Sequence, residues 1–323
     1  MNILASAPAK AGLRDEQTTA FARDTIEDLS QHPKRLSPKY FYDATGSELF
    51  EAITRLPEYY PTRTELSILH ERGNEISAIM PAHAALVEFG AGATTKVRLL
   101  LEHCTVANYV PVDISGDFLQ SQANGLRQDF PSLDIHPVAA DFSSPFVLPD
   151  AVASRPKVGF FPGSTIGNFE PHEANHFLKS ARKILGQDAL MIIGIDLEKD
   201  EHILHNAYND TAGVTARFNL NVLARINREL GGNFDLSAFA HRAIYNRDQH
   251  RIEMHLISGK SQTVRLLGTS FSFRPHESIH TENSYKYSLK RFAGLARGAG
   301  WRIRETWTDD AKLFSVHALE AAE

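Results

Sequence analysis

Two rhythms of apolar and polar residues divide this chain. Between about residues 84 and 196, short apolar runs alternate with longer stretches in which apolar positions recur at helical spacing. The apolar runs are Leu86-Val87 continued by Phe89, then 108–113, 133–142, 157–161 and 189–196. Helical spacing fills the gaps through Val97, Leu100 and Leu101, over 118–130, and over 173–185. Strands followed by helices in this order predict an α/β fold: a doubly wound, Rossmann-like parallel sheet covered on both faces.

The flanks follow other patterns. Residues 1–10 read as a loose start, and 13–29 as a helix with Phe21, Ala22, Ile26 and Leu29 near one face. Pro33 and Pro38 then break the chain, and Thr62 with Glu65 has the spacing of a capping box opening a helix toward Met80. Past residue 198 the rhythm changes. Helices near 201–209 and 213–230 precede strands near 242–245, 251–258 and 262–267, which reads as an insertion. A helix over 285–299 and two closing strands, 300–307 and 313–319, complete the chain.

Composition narrows the classes. With 34 basic against 39 acidic residues and no basic stripe, nucleic acid is not an expected partner. No apolar run approaches the roughly 18–20 residues of a membrane span, and the N-terminus lacks the apolar core of a signal peptide. The single cysteine, Cys104, allows no intramolecular disulfide and reads as a buried thiol. A soluble, monomeric cytoplasmic protein is the expectation. The histidines show no metal-binding spacing, so no metal site is expected.

Chemistry concentrates at the first apolar run. Glu88-Phe-Gly-Ala-Gly92 is a strand end followed by a glycine turn and a helix start. Glycines let the backbone turn and approach a ligand, and the helix start aims free N–H groups there. A nicotinamide fingerprint would place a third glycine where Thr95 stands, and no P-loop pattern is present. An acid two residues before Gly-x-Gly instead resembles the first motif of class I S-adenosylmethionine-dependent methyltransferases. The closing helix and strand pair suit that reading. Asp113, about twenty residues on, stands where a carboxylate meets ribose hydroxyls. Asp141 ends the third run with Phe142 beside it. It reads as an acceptor for an adenine amino group or as a turn residue.

Six strings resemble one family, the histidine Nα-methyltransferases of ergothioneine biosynthesis. They are Phe41-Tyr-Asp-Ala-x-Gly-Ser-x-Leu-Phe50, Thr54-Arg-Leu-Pro-Glu-Tyr-Tyr-Pro-Thr-Arg-Thr-Glu65, Phe161-x-Gly-Ser-Thr-Ile-Gly-Asn168, Ala207-Tyr-Asn-Asp-x-Ala-Gly-Val-Thr215, Arg251-Ile-Glu-Met254 and Thr281-Glu-x-Ser284. The similarity runs over roughly residues 35–310. It implies a substrate-binding domain from residues 1–63 and 199–286, a methyltransferase domain from 64–198 and 287–323, and an amino acid held between them. By the same resemblance, Tyr59, Gly90, Lys96, Asp113, Asp141 and Phe142 hold S-adenosylmethionine. Asn168 and Tyr208 take the histidine carboxylate. Glu282 and Ser284 take the imidazole, with Met254 packed beside it and Phe50 near the ring. Tyr42, Gly163 and Thr165 lie near the reacting amine. The glycine turn, Asn209 and Asn283 depart modestly from the family's strings.

These residue types suit the chemistry. Methyl transfer from a sulfonium to an amine is a displacement with an activated donor, so position matters more than a strong base. An amide and a phenol suit a carboxylate, while a carboxylate and a hydroxyl can read both nitrogens of an imidazole. Each also has a plainer use: Asn168 in a left-handed turn, Tyr208 and Met254 in the core, Glu282 and Ser284 on an exposed strand face or cap. The rival functions are a methyltransferase of the same fold acting on another amino acid, a nicotinamide-dependent dehydrogenase, and a silent S-adenosylmethionine-binding module. The missing third glycine disfavours the dehydrogenase, and the intact set of substrate residues disfavours the silent module.

Overall fold

In the computed structural model, the backbone of residues 7–322 is described, with the side chains of 19–322 except Asp117. The chain divides into two compact units. The larger comprises residues 56–204, 246–251 and 283–323. Its sheet has the order Trp301–Thr308, Phe314–Ala321, Leu190–Asp196, Lys157–Phe161, Ala85–Phe89, Asn108–Asp113, Asp134–Ile135. Strands from Leu190–Asp196 onward are parallel, while Phe314–Ala321 runs antiparallel to both its neighbours. This is a Rossmann-like sheet, and its order reverses between Lys157–Phe161 and Ala85–Phe89. Ligands bind at such reversals, beyond the carboxyl ends of the strands.

The central strands read as continuous apolar runs because both faces are covered. Every residue of Ala85–Phe89 and of Leu190–Asp196 is buried. Val87, Phe89, Phe161 and Ile193 pack with Phe177, Leu178 and Ala181 of the Pro171–Leu185 helix. Leu86, Phe160 and Ile192 face the other way, into Ile68, Leu69 and Ile76 of the Tyr60–Ile79 helix and Val97 and Leu100 of the Thr95–His103 helix. Alternation along each strand thus feeds two cores.

The smaller unit comprises residues 1–55, 205–245 and 252–282. Its sheet has the order Lys34–Arg35, Ser278–Tyr285, Arg251–Ser258, Phe239–Asn246, and a separate hairpin pairs Gln262–Leu266 with Thr269–Phe273. The Ala44–Thr54 and Val214–Leu230 helices belong to this unit.

Several expectations change. The N-terminal helix already runs from Ala7, while residues 1–6 of the expected loose start lie outside the described residues. The third sheet strand is split into Asp134–Ile135 and Val138–Ala139, where Pro111 of the neighbouring strand has no N–H to give the His136 carbonyl. The helix expected over 285–299 is Leu289–Gly298, capped by Ser288, and Tyr285 instead ends a strand. The Tyr60–Ile79 helix starts before the expected Thr62 cap, with Pro61 in its first turn. The units part at 55, 204 and 282 where 63, 198 and 286 were expected, and 246–251 joins the larger unit. Among the described residues, no helix is long and apolar enough to cross a membrane.

Candidate active site

In the larger unit, Gly90 takes a positive φ of 73°. Its N–H and that of Ala91 donate to the Val112 carbonyl at 2.9 and 3.0 Å, fastening the turn to the strand that ends in Asp113. A Cβ added at Gly90 would stand 3.2 Å from the Phe142 ring, so glycine here lets that ring lie against the turn. At Gly92 an added Cβ would meet nothing within 4 Å, which leaves that side of the turn open. Asp113 accepts from the Ser115 amide at 2.8 Å, and Asp141 from the Ser143 amide at 2.9 Å. Burial pushes the Asp113 carboxyl up from its ordinary value, and the Asp141 charge adds to that. The structure therefore brings Gly90, Asp113, Asp141 and Phe142 together at the strand ends. Glu88 is buried beneath them and accepts from the Tyr109 hydroxyl. Burial raises its pKa to about 8.

Lys96 reaches a different group. Its ammonium lies 2.6 Å from the carboxylate of Glu65, which is 1% exposed. The Gly163 amide donates to both oxygens of the same carboxylate at 2.9 Å. Glu65 was expected to cap a helix, but it instead joins Lys96 to the Gly163 turn. Gly163 and Ser164 are both left-handed, with φ of 82° and 56°. Thr165 donates to the Pro162 carbonyl at 2.8 Å. Asn168 ends the short 3-10 helix Thr165–Asn168 and is not the left-handed residue of this turn. Gly167 sits where an added Cβ would come within 2.8 Å of the Tyr285 carbonyl oxygen. Tyr59 immediately precedes the Tyr60–Ile79 helix and is buried.

Beside this turn lies a buried charged network. Asp196, at the end of its strand, accepts from the Tyr60 hydroxyl at 2.7 and 2.8 Å. It also pairs with Lys199 at 2.5 Å and with Lys286 at 2.8 Å. Its own amide donates to Ser164 Oγ at 2.9 Å. Lys286 in turn donates to Ser284 Oγ at 2.7 Å.

The smaller unit carries Tyr42, Phe50, Tyr208, Met254 and Glu282. Tyr42 and Phe50 meet edge to face at 5.6 Å, and both pack on Phe218 at 5.7 and 5.9 Å. Asp43 holds this corner by accepting from the Gly46 amide and the Asn221 amide group, both at 2.7 Å. Tyr208 is the last residue of the Glu201–Tyr208 helix. Asn209 beside it exchanges two hydrogen bonds with the main chain of Ala243, at 3.0 and 3.1 Å. Asp210 then receives the Val214 and Thr215 amides at 2.8 Å, starting the next helix.

Potential ligand atoms of Glu253, His255 and His280 all lie within 4.8 Å of one another, so these side chains share one sheet face. Glu282 stands two residues beyond His280 on the strand Ser278–Tyr285. Thr281 donates to the Met254 carbonyl and to Asn219. No metal site was expected, and the Glu253–His255–His280 grouping was invisible in the sequence because its members come from two strands. His255 Nε2 is 3.2 Å from Glu253, and the two imidazoles stack at 4.9 Å.

Residues 21–321 match the family described as "Histidine-specific methyltransferase, SAM-dependent". The chain belongs to this family. Over 312 residues it is 41% identical to histidine N-alpha-methyltransferase of Mycolicibacterium smegmatis, covering 94% of this chain and 95% of that protein. The protein of that name from Mycobacterium tuberculosis is 38% identical over 303 residues, covering 92% and 94%. Ergothioneine biosynthesis protein 1 of Neurospora crassa is 30% identical over 288 residues, covering 85% of this chain and 32% of that protein.

Seen as a family member, the chain owes much of its signature to architecture. Asp43, Gly46 and Asp210 cap or seat helices, and Glu65 ties two loops together. Sequence reasoning missed the Asp196 network altogether. Its one available signal was an acid closing an otherwise apolar strand.

Proposed function

We propose that this chain transfers three methyl groups in turn from S-adenosylmethionine to the α-amine of L-histidine. The product is hercynine, the first intermediate of ergothioneine synthesis. The reading rests on Glu282 and Ser284, an acceptor and a hydroxyl on one face of the strand Ser278–Tyr285, in a chain of this family. The enzyme acts as a cytoplasmic monomer on a small-molecule substrate.

The strand ends suit an adenosyl ligand: Gly92 leaves open space, Phe142 offers a ring against Gly90, and Asp113 and Asp141 offer acceptors. Tyr59 and Lys96 border that group, Lys96 through its pairing with Glu65. When bound, S-adenosylmethionine supplies a methyl group already activated for displacement. The protein's part is to hold a neutral amine in line and keep water out. Asn168 and Tyr208 take the carboxylate, and Glu282 and Ser284 the ring. Tyr42, with the Gly163–Thr165 turn, borders the amine and passes its proton on. Phe50 lies near the ring, and Met254 packs beside it.

Mass spectrometry of the twenty amino acids incubated with enzyme and S-adenosylmethionine tests this. The expected result is a gain of about 42 daltons, three methyl groups, on histidine alone. Equal gain on another amino acid would sink the histidine assignment. A site built to bond an imidazole N–H rejects rings lacking it by roughly 10⁴-fold. Glu282→Ala should therefore cut kcat/KM for histidine about ten- to a hundredfold while discrimination against apolar aromatic amino acids shrinks.

A further inference from the structure

Ser284 is gripped from behind by a cation. Lys286, two residues along the chain, is 0% exposed, and its ammonium lies 2.7 Å from Ser284 Oγ and 2.8 Å from Asp196. An ammonium has protons to give and nothing with which to accept. In that bond the serine oxygen can only be the acceptor, so its single proton must point elsewhere. Asp196 faces two cations, Lys286 and Lys199, and the Tyr60 phenol also donates to it. Asp196 thus divides its negative charge between two cations, and Asp309 also acts on Lys199.

Resting on the reading that Ser284 faces the substrate ring, we propose that Lys286 is a positioning residue. It fixes Ser284 as a hydrogen-bond donor, so that histidine is bound with its imidazole neutral, one nitrogen presenting a lone pair to Ser284 and the other its N–H to Glu282. A protonated ring has no lone pair for the Ser284 proton and could use only the second lone pair of Oγ, beside the Lys286 ammonium. It would also place a second cation near an ammonium that shares its carboxylate with Lys199.

The charged surroundings pull in two directions: the Glu282 carboxylate favours a protonated ring, and the Lys286 ammonium behind Ser284 opposes it. Glu282 and His280 share the face of Ser284 on its own strand. Asp196, Lys199 and Tyr60 lie against Lys286, and Arg291 donates to the Lys286 carbonyl at 3.4 Å. Glu170 and Arg251 are engaged with the neighbouring Tyr285. Burial works against charge on Asp196, yet Lys286 and Lys199 hold its carboxyl below the usual range, so it remains an anion for Lys286. Burial draws Lys199 down to about 8, against the pull of Asp196, so it remains mostly cationic in mildly acidic solution.

The test is calorimetric titration of the full-length enzyme, saturated with S-adenosylhomocysteine, with histidine and with 2-fluorohistidine. Fluorine removes the basicity of the ring, so the analogue stays neutral at every pH used. Titration of protein groups affects both ligands, and the ratio of their Kd values isolates the ring. In the wild type, histidine should weaken relative to the analogue by about tenfold per pH unit below the ring pKa of about 6.5. Lys286→Met frees the Ser284 hydroxyl to turn and removes the cation, and should close that gap about tenfold near pH 5.5. Should that variant not fold, Lys286→Gln keeps a donor for Asp196 and offers Ser284 an amide oxygen, with the same expectation. A wild-type ratio independent of pH would overturn the proposal. So would an unchanged pH dependence in a folded Lys286 variant that still binds S-adenosylhomocysteine. Ser284→Ala separates the two levels of argument. If it leaves histidine affinity untouched, Ser284 does not face the ring and the site reading fails. If it weakens histidine about tenfold while the Lys286 variants behave as wild type, only the role of Lys286 is wrong.

Discussion

The carboxylate of Glu65 lies 2.6 Å from the ammonium of Lys96, and Glu65 is almost fully enclosed while Lys96 retains some contact with solvent. Lys96→Met would leave the carboxylate buried without its counter-charge, with only the Gly163 amide to satisfy it. Breaking such a pair from one side costs about 3–5 kcal/mol, and the partial exposure of Lys96 points to the lower end. Urea denaturation of the two proteins measures it. A loss below about 1 kcal/mol would mean that the pair is not a structural tie.

At Gly167 an added Cβ would meet main-chain atoms of Tyr285, at 2.8 Å from the oxygen and 3.2 Å from the nitrogen. Main chain cannot swing aside as a flexible side chain does. Gly167→Ala should lose roughly 1–3 kcal/mol of stability to overpacking. Because Asn168 follows directly, KM for histidine should rise more than Kd for S-adenosylhomocysteine. Equal effects on both ligands would refute the placement of Asn168 at the amino acid.

Asp113→Ala addresses the cofactor. Hydrogen bonds to a charged group are worth about 1.5–3 kcal/mol, so affinity for S-adenosylhomocysteine should fall about tenfold or more with folding intact. Calorimetry showing wild-type affinity would remove Asp113 from the cofactor site.

Glu88 predicts a pH slope. Burial raises its pKa to about 8 in the folded protein, against about 4.3 in the unfolded chain. The folded state therefore holds the extra proton between these values, and stability falls as pH rises from about 4.3 toward 8. Glu88→Gln keeps an acceptor for Tyr109 and removes the titration. The variant should gain on the wild type by about 1 kcal/mol or more at pH 8 and match it more closely at pH 5. Parallel slopes for both proteins in urea melts at the two pH values would refute the shift.

What the sequence made legible were the parts that local pattern controls. The buried strands Ala85–Phe89 and Leu190–Asp196 announced themselves as apolar runs, and Gly90 and Asp113 stood at their predicted strand ends. Glu65 misled because its spacing from Thr62 is a local signal, while the amide it serves lies 98 positions away. The strand Ser278–Tyr285 went unseen because its buried positions include Thr281, Glu282 and Ser284, which apolar periodicity does not count. Lys286 carried no sign of burial, since a lysine goes inside only with partners, and Asp196 is remote in the chain.

The amide of Asn209, holding the N–H and the C=O of Ala243 at once, behaves like one residue of a strand pairing. Sliding Phe239–Asn246 by a single position would present Arg242 or Ile244 to that amide and turn every side chain of the strand to the opposite face. Asn209 therefore matches one register of that strand. It favours the alignment in which the neighbouring Tyr208 carbonyl meets the His241 ring at 2.8 Å, and it ties the end of the Glu201–Tyr208 helix to the register of an edge strand.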